Sequence, residues 1–70
     1  MVFFEDLNIG DTFRCVDSGD LNFVKTGNNV QQGVTSYKDN ATCITTRVNC
    51  YIPRQCVVIL LEKANENKTN

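Results

Sequence analysis

Seventy residues with seven basic and eight acidic side chains carry a net charge of −1 and include no histidine. A chain of this length makes one domain at most and buries only about 60% of the surface its unfolded form exposes, so its core is thin and its edges must be closed or covered. The balanced charge sets up no field for nucleic acid or anionic lipid, and the missing imidazole removes the commonest general base and metal ligand together.

The opening Met1-Val2-Phe3-Phe4-Glu5-Asp6 is apolar and then acidic, the wrong charge order for a secretory signal. The longest apolar run, residues 56–61, is one strand long and far short of a membrane span. The expectation is a cytoplasmic protein with no membrane partner. Cys15, Cys43, Cys50 and Cys56 admit three readings. Buried thiols in a reducing compartment lead, ahead of one or two disulfides and of a metal site, which would lack both histidine and any Cys-x-x-Cys pair.

Residues 6–9 read as a short turn with two apolar plugs, Leu7 and Ile9, and Gly10-Asp11 as a tight corner. Residues 12–16 alternate as a strand that sends Phe13 and Cys15 to one side. A polar turn over 17–20 leads to a second strand over 21–26, paired antiparallel to the first, with Arg14 and Asn22 facing water. Residues 27–40 lose all periodicity and are rich in amides; a connection this long in so small a domain is the expected place for a ligand or partner, with a short strand at 33–37 as an option.

Residues 41–52 are dense in β-branched side chains and form either one long bent strand or a hairpin turning near 45–49. Pro53 marks a corner, with a 3₁₀ turn over 53–55. The strand over 56–61 is apolar on both faces and calls for a closed barrel, a covering element or a second subunit. The residues from 62 on are polar, with a short helical turn over 62–66 as an option. The fold expected is therefore all-β: a small SH3-like barrel, or a strongly twisted antiparallel sheet of four or five strands, over residues 1–62, with a frayed tail over 63–70. A half-open sheet that dimerises through 57–61 is the second arrangement.

The order Phe4-x-Asp6-Leu7-x-x-Gly10-Asp11-x-Phe13, then Phe23-Val24-Lys25-Thr26, then Asn40-Ala41, resembles a family of small uncharacterised bacterial and bacteriophage proteins with a DLxxGDxF, (Y/F)VKT, NA pattern. The resemblance covers about two thirds of the chain and departs from the pattern over 27–39 and in the cysteines. Its motifs are structural: they imply a β-barrel and no chemistry. The resemblance also implies a phage setting, where small all-β proteins block host defences by binding a nuclease or sequestering nucleotide signals.

For catalysis the chain offers carboxylates Glu5, Asp6, Asp11, Asp17 and Asp20 and thiols without a base, and Asp17 and Asp20 read as turn residues. No enzyme is expected, nor any metal or cofactor. For binding, Lys25, Lys38, Arg47 and Arg54 are the cations that could converge, and Tyr37 and Tyr51 the rings that could stack. The same residues are also what any soluble barrel shows to water, and Lys25 could equally cover the barrel rim with its stem. The leading expectation is a non-enzymatic binding protein, acting in the host cytoplasm on a host protein or on a small anionic ligand such as a nucleotide, through 27–40 and the Arg47 to Arg54 region. A self-associating module is the alternative; a single-stranded nucleic-acid barrel comes third, against the neutral charge.

Overall fold

Alternation turns one face of each strand inward, and in the computed structural model, which describes residues 1–29 and 38–64, those faces meet in one six-stranded antiparallel sheet. The strands are β1 (Val2–Phe3), β2 (Thr12–Cys15), β3 (Phe23–Lys25), β4 (Ala41–Cys43), β5 (Val48–Cys50) and β6 (Val57–Glu62), in the spatial order β1-β6-β2-β3-β4-β5. A 3₁₀ turn, Phe4–Asp6, follows β1, and no α-helix occurs among the described residues. The protein is all-β.

Cross-strand register builds the core. Phe13 lies opposite Phe23, Phe23 opposite Cys43, and Cys15 opposite Val58. Phe13 and Phe23 stack with ring centroids 5.5 Å apart, and Phe4 meets Phe13 edge-on at 5.4 Å. Burial of a large apolar side chain is worth roughly 1.5–3 kcal/mol, so these three rings are the heaviest part of a thin interior. Leu7, Ala41, Ile52 and Val58 complete it. Of the two expected plugs only Leu7 enters the core, whereas Ile9 is exposed.

The strand count and the closure differ from expectation. The extra strand is β1, two residues long, which pairs Val2 with Val58 and Phe3 with Val57; two residues show no alternation, so only the distant partner defines it. The sheet is open rather than a closed barrel, with β1 and β5 as its edges. Residues 51–56 run between those edges: Glu5 N donates to Arg54 O at 2.8 Å and Phe4 N to Cys56 O at 2.9 Å. Pro53 has no N–H, and Cys56 N turns back onto Pro53 O at 3.0 Å, which closes the turn at the expected corner.

Residues 41–52 form a hairpin rather than a bent strand. The turn over 44–47 ends on Arg47, which has φ of 65° and donates its N–H to Cys43 O at 2.7 Å. β6 lies between β1 and β2, so its backbone is used on both sides at Val57 and Val58. The outward side chains Ile59 and Leu61 are 51% and 42% exposed, so the expected cover over both faces is missing among the described residues. Past residue 62, Ala64 N donates to Asp11 Oδ1 at 2.7 Å, and residues 65–70 of the expected tail lie outside the described residues. Glu62 is strand, against the helical turn expected over 62–66; residues 65 and 66 and the strand expected over 33–37 lie outside the described residues.

Candidate functional site

Among the described residues three polar side chains are buried: Asp11, Lys25 and Asn40. Each holds backbone that no strand ladder satisfies. Asp11 accepts Asn8 N at 2.8 Å on one oxygen and Ala64 N on the other, tying the corner after the 3₁₀ turn to the end of β6. Asn40 donates to Ile52 O at 2.9 Å and Asn29 O at 3.1 Å, and accepts Ile52 N at 2.7 Å. It therefore fastens both ends of the 27–40 connection to the segment leaving β5. Gly10, Asp11, Lys25, Asn40 and Ala41 are thus the interior polar frame and its neighbours.

Lys25 sits on the inward face because β3 alternates Phe23 in, Val24 out, Lys25 in, and Ala41 opposite is small enough to leave room. Its ammonium donates to Phe4 O at 3.1 Å and Leu7 O at 2.8 Å and lies 4.6 Å over the Phe4 ring. Burial pulls its pKa below the ordinary lysine value, while Asp11, Asp6 and Glu5 push the other way. An ammonium has three donors, and the two carbonyls take two. Lys25 also lines a pocket of about 160 Å³ together with Phe4, Glu5, Asn28, Asn29 and Arg54.

This pocket brings together two of the expected site residues, Lys25 and Arg54, with the first residues of the 27–40 connection. Lys25 is not a rim cation: it forms part of the floor, while Arg54 is exposed. Arg47 lies at the far end of β4 and β5, in the turn away from Asn40, and does not join the pocket. Lys38 is exposed and Tyr51 half-buried, neither of them lining it. Tyr37 lies outside the described residues. Glu5 and Phe4 were not foreseen as lining. Their signal was their place in the motif next to Asp6-Leu7, but the sequence does not say that residue 54 comes back against them.

All four cysteines are free. The Cys15 thiol is pushed up to about 11 by burial and by neighbouring Cys56, and Cys50 is raised by burial and by Cys43. Cys43 is lowered by a hydrogen bond from the Thr46 side chain, but it is itself buried under the β4–β5 turn. Among the described residues no three side chains cluster as metal ligands, and no helix is long and apolar enough to cross a membrane. No family model, curated protein or solved structure matches the chain.

Proposed function

We propose that this is a non-enzymatic binding protein that holds an anionic group in the pocket between the 3₁₀ turn, the start of the 27–40 connection and the turn at Arg54. The observation that carries the reading is that the buried Lys25, its ammonium held by two carbonyls, lines the same pocket as the exposed Arg54. Size limits what enters. At ~30 Å³ per water, 160 Å³ holds roughly five waters, well below the roughly 300–1,000 Å³ of sites that enclose a whole small molecule. A nucleotide would insert one group and leave the rest on the surface; a side chain of a host protein would fit entire. The resemblance to phage proteins supplies the setting, a phage-encoded inhibitor of a host defence acting in the host cytoplasm. Isothermal titration against nucleotides and host protein fractions tests the reading, and a folded protein that binds no anion refutes it.

A second reading, self-association, is favoured by one observation. β1 ends opposite Val58, so from Ile59 to Glu62 one side of β6 has no strand partner among the described residues, and Ile59 and Leu61 are exposed beside it. Sedimentation at tens of micromolar decides: Ile59→Lys would shift a dimer to monomer, and a wild-type protein already monomeric there eliminates the reading.

A further inference from the structure

We infer that the pocket is built for a single carboxylate rather than for a phosphate. The inference rests on the anion-binding reading above and narrows it. The lining carries two cations, Lys25 and Arg54, and one anion, Glu5, and Asp11 and Asp6 also act on the Lys25 ammonium, so a singly charged group is opposed less there than a doubly charged one. A phosphate monoester brings roughly −1.5 to −2 near neutral pH and would meet the Glu5 carboxylate with charge left uncompensated.

Donor supply points the same way. Phosphate sites are usually nests of unused backbone N–H groups that reach several oxygens together. Here the backbone N–H groups of three lining residues are spent inside the fold: Phe4 on Cys56 O, Glu5 on Arg54 O and Lys25 on Asp11 O. Next to them, Gly27 N is spent on Asn40 O. Asn29 is held as well, its amide donating to Asp39 O at 3.0 Å. The side chains of the lining add the Arg54 fork and the Asn28 amide, enough for two carboxylate oxygens. Phe4 adds an apolar wall for the methylenes of an acidic side chain. The carboxylate can come from a protein side chain or from a free acid.

The test is a titration of isotope-labelled protein, at fixed ionic strength, with butyrate, with inorganic phosphate and with a blocked Gly-Glu-Gly peptide, read at the side-chain amides of Asn28 and Asn29. Butyrate or the peptide should give saturable shifts, with phosphate at least about fivefold weaker. Arg54→Gln should weaken carboxylate binding about tenfold. Glu5→Gln should raise phosphate affinity more than carboxylate affinity, which a merely structural role for Glu5 would not do. Both side chains are exposed, so these variants keep the fold. Peptide binding as tight as butyrate supports a protein side chain as the source, and butyrate alone supports a free acid. Phosphate binding as tight as both overturns the carboxylate assignment while the anion site stands. No shift with any of the three overturns both.

Discussion

Asn40 is the residue whose loss should cost most for its size. Its amide makes three hydrogen bonds, two of them to the Ile52 backbone. Asn40→Ala leaves the Ile52 N–H and C=O without partners in the interior and should destabilise by about 2–4 kcal/mol. Thr42→Ala removes one exposed hydrogen bond to Asn49 and should cost under about 0.5 kcal/mol. Urea unfolding of the two variants makes the comparison. Cys15 gives a pH prediction. Its thiol titrates near 9.0 unfolded and about 11 folded, so the unfolded chain loses the proton first. The stabilisation is intact below pH 9 and is lost as pH rises through 11, about 2–3 kcal/mol in all. The stability gap between wild type and Cys15→Ala should shrink over that window. Lys25 acts with the opposite sign: its lowered folded pKa makes its own contribution rise as pH approaches 10.5.

At the scale of elements, the turns carry the strain. Gly10 has φ of +99°, and a Cβ there would sit 2.9 Å from the Ala64 Cβ, whereas Gly19 at +63° faces open space. Gly19→Ala should cost about 1 kcal/mol, the ordinary price of a left-handed residue, and Gly10→Ala clearly more. Ala64→Gly in the Gly10→Ala background should recover part of the difference, measured by thermal unfolding. Arg47 closes the β4–β5 turn with positive φ, so Arg47→Gly should be neutral or stabilising by up to about 1 kcal/mol. Because Arg47 stands apart from the pocket, the same variant should leave anion binding unchanged.

For the whole molecule, the pocket couples stability to binding. A ligand at ten times its Kd adds about 1.4 kcal/mol, which in a domain this small raises Tm by roughly 6–10 °C. Differential scanning fluorimetry should show that rise with the preferred anion and lose most of it in Arg54→Gln. The strand alternation that placed Phe13, Cys15 and Phe23 inside was legible in the chain, because a two-residue period needs only neighbours to define it. Arg14 and Asn22, expected to face water, are half-buried instead, the guanidinium donating to the amide oxygen at 2.9 and 3.1 Å. The same alternation placed Lys25 inside, although its charge argued for the surface. Composition and periodicity thus determined an all-β chain with a hairpin over residues 12–26, while residues 41–52 stayed open between a bent strand and a hairpin. The tertiary structure alone decided the edge role of Val2 and Phe3, the burial of Lys25 against two carbonyls, and the meeting of Arg54 with Glu5 and Asn28. Those contacts join residues up to 56 positions apart, which no local pattern records.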